Sequence, residues 1–306
     1  MKISIIGAGN VGSTTAMRLA QEGLGEIVLV DVLKGLAQGK AFDLEDARSI
    51  LKIPYNIQGS DDINSIKDSD IVVLTAGLPR KPGMTREDLV TKNAKILQDV
   101  CENIKKITPE SIVIVVTNPL DLMTYFTLTI TGFKAGKIIG MGVSLDAARF
   151  ANLISKEFNI PVSDIEASVI GSHGQGMIPL TRFTTIKGVS LEEFLNDKKA
   201  QDLRDKTINR GAKILSLLGS GSAYFAPSAA ITALVKCIAK DEKRTIGVCT
   251  CLFGEYGIND MCIGVPCRIG KDGIEQIIEL ELNKVEIESL KKSAEAVRES
   301  IELLPL

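Results

Sequence analysis

The stretch KISIIGAGNVGSTTAMRLAQEGLGEIVLVD, residues 2–31, decides the fold. KISII is an apolar run without polar alternation, which reads as a strand buried on both faces. GAGNVG, Gly7 to Gly12, fits G-x-G-x-x-G, and VGSTTAMRLAQEG continues with helical spacing. EIVLV is a second strand, and Asp31 closes it 19 residues after Gly12. A glycine hexamer alone carries little weight. Between a strand and a helix, with an acid ending the next strand, it is a dinucleotide fingerprint. Gly7 permits the tight turn, Gly9 lets backbone approach a pyrophosphate, and Gly12 allows close helix–strand packing. The helix N-terminus favours phosphate charge. Asp31 accepts hydrogen bonds from ribose hydroxyls and repels a 2′-phosphate, so the pattern predicts NAD rather than NADP. The bland reading, a glycine turn with no ligand, does not explain Asp31.

Working outward, LAQGKAFDLEDARSIL is helical by its apolar spacing, and DIVVLTAG and SIVIVVTNP are further β-branched runs. TREDLVTKNAKILQDVCENIKKI is a long amphipathic helix. Alternating strands and helices predict an α/β fold with a doubly wound parallel sheet, a Rossmann domain, over residues 1–143. The pattern then changes. SLDAARFANLISKEF is a helix with Ser144 as its N-cap, and SVIGSHGQGMIPLTRFTTIKG reads as strand, turn, strand. Helical stretches near 198–218 and 222–240, strands over about 244–280 and a closing helix make residues 144–306 an α+β catalytic or substrate domain.

Bulk composition excludes several classes. The 306 residues are 45% hydrophobic and 24% charged, with a net charge of -2 and no Trp. There is no basic excess for a nucleic-acid backbone and little aromatic surface for base stacking. No apolar run has the length of a membrane span. The N-terminus enters a strand at once, without a signal-peptide pattern, so a cytoplasmic protein is expected. Six cysteines, Cys101, Cys237, Cys249, Cys251, Cys262 and Cys267, include no CxxC pair and read as reduced core residues. No metal site is expected.

Five polar positions stand out. His173, in GSHGQGMIPL, is the only histidine. A lone histidine is more often structural than catalytic, yet its pKa makes it the usual proton carrier. Asp146 and Arg149 lie three apart on one helix face among apolar neighbours, where buried charges need partners. A surface salt bridge is the alternative. Arg80 and Arg86 lie in AGLPRKPGMTRED, just past a strand C-terminus, where ligands bind in open α/β sheets. On this segment alone a solvated basic loop is an equal reading.

With these motifs in order, the chain resembles the NAD-dependent lactate/malate dehydrogenase family, and most of all its lactate-dehydrogenase-like malate dehydrogenases. The resemblance spans essentially the whole chain. It rests on GAGNVG, LVD, AGLPRKPGMTR, VTNPLD, LDAARF, GSHG, GSAYFAP and GEYGINDMCIGVP. It implies that His173 is the acid/base and that Asp146 orients its ring. It implies that Arg149 clamps the substrate C1 carboxylate, that Arg86 polarises the C2 carbonyl, and that Asn118 hydrogen-bonds substrate and cofactor. Asn93, Val116 and the backbone of Gly7, Ala8, Gly9, Asn10, Val11 and Gly12 are implied to line the NAD site. A homodimer or homotetramer is also implied, with AFDLEDARSIL as a candidate interface.

Arg80 bears on the substrate. Lactate dehydrogenases of the family typically carry Gln there. A guanidinium suits the second carboxylate of a small dicarboxylate such as malate or oxaloacetate, and an amide suits the methyl of pyruvate. Gln175 departs from the family's frequent His-Gly-Asp and removes one negative charge near His173. Competing readings are a lactate or other 2-hydroxyacid dehydrogenase, an NAD-dependent glycosidase that binds a metal through Cys and His, and a non-catalytic NAD-binding regulator. Arg80 opposes the first, the lack of a Cys–His constellation the second, and the joint presence of Asp146, Arg149 and His173 the third.

Overall fold

The computed structural model describes residues 1–78, 85–219 and 221–306. Among the described residues, β1 (Lys2–Ile6), β2 (Glu26–Val30), β3 (Asn56–Ser60), β4 (Ile71–Leu74), β5 (Ile112–Val115) and β6 (Ile138–Gly140) pair in parallel. Their order is β3-β2-β1-β4-β5-β6, the doubly wound order of a Rossmann sheet. The chain direction of the winding reverses between β1 and β4, which opens a crevice at their C-terminal ends. IVVL in β4 and IVIV in β5 are buried at every position, as expected of strands covered on both faces.

The covering helices are α1 (Asn10–Gln21), α2 (Leu36–Leu51), α3 (Arg86–Ile107) and α4 (Leu120–Thr131). α3 shows why such a segment is helical. Val90, Ala94, Leu97, Cys101 and Ile104 recur at three- and four-residue spacing and are all fully buried. Burial of each large apolar side chain stabilises by about 1.5–3 kcal/mol. Thr85 and Asp88 close its start as a reciprocal capping box, satisfying two otherwise unpaired backbone donors.

The second half comprises α5 (Val143–Phe158), β7 (Ile165–Glu166), β8 (Val169–Gly171), β9 (Met177–Pro179), β10 (Thr185–Ile186) and β11 (Val189–Ser190). It continues with α6 (Asp197–Ile208), α7 (Arg210–Leu218), α8 (Phe225–Ala239), β12 (Arg244–Phe253), β13 (Asn259–Gly270), β14 (Gly273–Ile277) and α9 (Lys284–Arg298). The main sheet does not stop at β6. Gly140 pairs with Cys249 of β12, antiparallel, and β13, β8 and β9 follow. One buried apolar cluster runs from Ile5 and Leu29 through Ile139 to Val248 and Ile263.

Two local expectations change. Ser144 is not the N-cap of α5. The helix starts at Val143 behind Gly142, and the buried Ser144 hydroxyl has no hydrogen-bond partner. Gly142 already sits where an added Cβ would strike Leu120 and His173, so tight packing sets the helix start rather than a side-chain cap. The stretch near 198–218 is two helices. They break at Asn209, whose side chain donates back to the Asp205 carbonyl at 2.9 Å. All six cysteines are free and buried.

Candidate active site

The cleft begins at the glycine loop. Gly7 has φ +106°, and a Cβ there would meet Ala76 and Thr75 at 2.8 Å. A Cβ on Gly12 would lie 1.9 Å from the Gly7 carbonyl, whereas around Gly9 there is open space. α1 starts at this point with Gly9 as N-cap, no side-chain cap and no acid in its first turn. The free N–H groups of that turn, and the open space at Gly9, fit a diphosphate. Asp31 accepts from Ala8 N of the loop at 2.7 Å and from Leu33 N of its own turn at 2.9 Å.

At the other end, His173 sits in the turn between β8 and β9. Its Nδ1 is 2.7 Å from Asp146 Oδ2, and Asp146 is fully buried. Asp146 Oδ1 accepts from Arg149 at 3.0 Å. α5 therefore presents Asp146 and Arg149, one turn apart, to the same loop. Arg149 Nε is buried without a partner, which leaves donors for an anionic ligand. Burial pulls the His173 pKa down most strongly, but the charge and hydrogen bond of Asp146, with Asp121, raise it above its ordinary value. Asp121, in the first turn of α4, accepts the His173 backbone N–H at 2.8 Å. Burial pushes its carboxyl up to about 6 against the pull of His173.

A cleft of about 570 Å³ joins the two ends, running from Gly9–Gly12 past Val116 and Asn118 to Arg149, His173 and Gln175. Gly211, Ala212 and Leu215 of α7, with Ser222 and Ala223, form the facing wall. An uncapped helix N-terminus, a histidine–carboxylate pair and a partly free arginine share one space.

Residues 1–140 match the lactate/malate dehydrogenase NAD binding domain, and residues 143–304 match the same family's alpha/beta C-terminal domain. The chain belongs to the lactate/malate dehydrogenase family. Its cofactor is NAD. A malate dehydrogenase of Methanosarcina mazei is 48% identical over 306 residues, covering all of both chains. One of Roseiflexus sp. is 46% identical, covering 99% of this chain and 98% of its own. Among solved structures, Cryptosporidium parvum malate dehydrogenase superposes with a TM-score of 0.96 at 40% identity, covering 99% of this chain and 98% of its own. Eimeria maxima lactate dehydrogenase with NADH and oxamate gives 0.95 at 36% identity, with 98% and 93% coverage.

Within this dehydrogenase, the expected site residues fall into layers. Gly9, Asn10, Val11, Gly12, Val116, Asn118, Arg149 and His173 line the cleft. Gly7, Ala8, Asp31 and Asp146 are not among its lining residues; Asp31 holds the loop at Ala8, and Asp146 holds His173 and Arg149. Asn93 does not line it. It is fully buried, accepting from Leu78 N at 2.8 Å and donating to the Asn118 carbonyl at 2.7 Å, so it ties together two loops of the cleft wall. Arg80 lies outside the described residues, and Arg86 opens α3 with its side chain likewise outside them. Asp121 escaped the sequence reading. It closes the VTNPLD motif and is the acid in the first turn of α4, but neither signal gave it a role. Among the described residues no His, Cys, Asp and Glu group is arranged to hold a metal ion. No described helix is long and apolar enough to cross a membrane.

Proposed function

We infer that this dehydrogenase interconverts (S)-malate and oxaloacetate with NAD, and that the His173–Asp146–Arg149 cluster at the end of the cofactor cleft carries the reaction. With Nδ1 held by Asp146, His173 keeps Nε2 for the substrate. In oxidation, neutral His173 takes the C2 hydroxyl proton. In reduction, protonated His173 returns it to the C2 oxygen. Bound NAD supplies the hydride acceptor, and NADH the donor. Arg149 pairs with the C1 carboxylate through the nitrogens that Asp146 leaves free. Arg86 polarises the C2 carbonyl, Arg80 meets the second carboxylate, and Asn118 hydrogen-bonds substrate and cofactor. Gly7, Ala8, Gly9, Asn10, Val11, Gly12, Asp31 and Val116 hold NAD, with Asn93 supporting them from behind. We place the division between cofactor and substrate domains at 143/144, and the protein in the cytoplasm. A homodimer or homotetramer is consistent with the exposed Phe42, Ile50 and Leu51 on α2.

Lactate oxidation is the second and weaker reading, resting on the nearly as close superposition of a lactate dehydrogenase. Arg80 separates the two. A charge-assisted pair is worth about 1.5–3 kcal/mol, or about ten- to hundredfold in specificity. NADH oxidation with oxaloacetate and with pyruvate, at one pH and matched concentrations, decides between them. Oxaloacetate is expected to win, and Arg80→Gln to move the ratio toward pyruvate by that factor. Equal or faster turnover of pyruvate by the wild type would return the assignment to a 2-hydroxyacid dehydrogenase.

A further inference from the structure

The proton-transfer chemistry leaves one buried acid unused. Asp121 is only 4% exposed, and among the described residues its Oδ1 has no hydrogen-bond partner other than the Cys249 thiol beside it. Its Oδ2 accepts the backbone N–H of His173, which comes from the other half of the chain. A buried carboxylate is costly unless it is paired, and the N-terminus of α4, where Asp121 is the one acid of the first turn, compensates only part of that cost. Asp146, meanwhile, serves two cations, Arg149 through Oδ1 and His173 through Oδ2. The turn GSHGQGM contributes no acid of its own. On its far side it is tied to α9, where Ser293 accepts from Ser172 N at 2.9 Å and donates to the Gly176 carbonyl at 2.8 Å.

We propose that Asp121 is a positioning residue for His173: its carboxylate fixes the backbone that carries the imidazole and supplies the second negative charge that balances the imidazolium. The charge count then closes, with Asp121 and Asp146 against Arg149 and protonated His173. The other groups facing the pair do not replace it. Cys249 of β12 and Cys262 of β13 face Asp121, and burial holds both thiols neutral. Asp146 and Arg149 of α5 face the ring. The coupling is mutual: His173 lowers the Asp121 pKa and Asp121 raises that of His173.

The proposal rests on the acid/base reading of His173, but its test does not depend on turnover. His173 is the only histidine, so its ring signals in an NMR titration of the intact protein need no assignment. Asp121→Asn keeps an acceptor oxygen and removes the charge. Its His173 pKa should fall, because a charge that favours the imidazolium is gone. The high-pH limit of oxaloacetate reduction should fall with it, while the KM for NADH stays unchanged. A ring titration in folded Asp121→Asn that overlies the wild type would falsify the proposal. Should that variant not fold, the wild-type His173 amide gives the reading. Its proton shift should step as Asp121 takes up its proton, and an amide without such a step overturns the assignment. A wild type that reduces neither oxaloacetate nor pyruvate would sink the functional reading alone, because the ring shift in Asp121→Asn would still establish the coupling.

Discussion

Asp146 and His173 share the shortest contact between ionisable groups in the cleft, and it has a calculable sign. Asp146 holds the proton on the ring by charge and by a hydrogen bond at 2.7 Å. Reduction needs protonated His173, so kcat/KM for oxaloacetate falls as pH rises through the His173 pKa. Oxidation of malate needs neutral His173 and rises over the same range. Asp146→Asn removes the dominant raising influence, so both limits move to lower pH, further than in Asp121→Asn. The same linkage acts on stability. A histidine whose pKa is raised by folding stabilises fully below its unfolded value near 6.5 and loses that contribution as pH climbs through the folded value. Asp146→Asn should weaken this slope in urea midpoints measured across pH, leaving the part that Asp121 contributes; an unchanged slope and unchanged rate profiles would refute the pairing. At this scale the sequence was legible where chemistry repeats in short motifs, as for His173 and for Asp146 with Arg149. Asp121 lay inside the quoted VTNPLD motif, but its contact was not legible, because its partner is a backbone N–H 52 residues away. No local pattern encodes that contact.

Helix α1 and the loop before it form the element on which cofactor binding depends, and two of its glycines do different work. Gly12 packs against the Gly7 carbonyl, where backbone cannot yield, so Gly12→Ala must push α1 off the loop. It should lower the melting temperature and weaken NADH binding by more than about tenfold, a modest 1.4 kcal/mol. Gly9 has φ -67° and nothing within 4 Å of an added Cβ. Gly9→Ala should therefore leave the melting temperature unchanged and weaken only NADH binding, as read by fluorescence titration. Equal NADH affinity in Gly9→Ala and wild type would mean that the diphosphate does not approach this backbone. The strands were legible because apolar runs without alternation have one explanation in a doubly wound sheet. Helix ends were less so. Asn209 breaks α6 from α7 without the glycine or proline that marks most breaks, and Gly142 rather than Ser144 precedes α5.

At the scale of the whole molecule, the halves are joined by more than a linker. Gly140 pairs with Cys249 in one continuous sheet, α1 packs on α8, and a single apolar cluster crosses the boundary. The sequence pattern changes near residue 143. The shared sheet was not legible, since a parallel run gives no sign that a distant antiparallel strand will extend its edge. This continuity makes a thermodynamic prediction. Separating the halves would expose that cluster and leave the β6 edge unpaired, both costly. The chain should therefore unfold in one calorimetric transition. NADH bound to the glycine loop should then stabilise the C-terminal half equally, by about 2.7 kcal/mol at a hundred times Kd. The ring signals of His173, in the C-terminal half, report its unfolding directly, and far-ultraviolet dichroism reports the whole. Coincident midpoints that shift together with NADH are the expected result. A His173 transition that stays in place while a second one moves would show that the continuous sheet does not make the halves one cooperative unit.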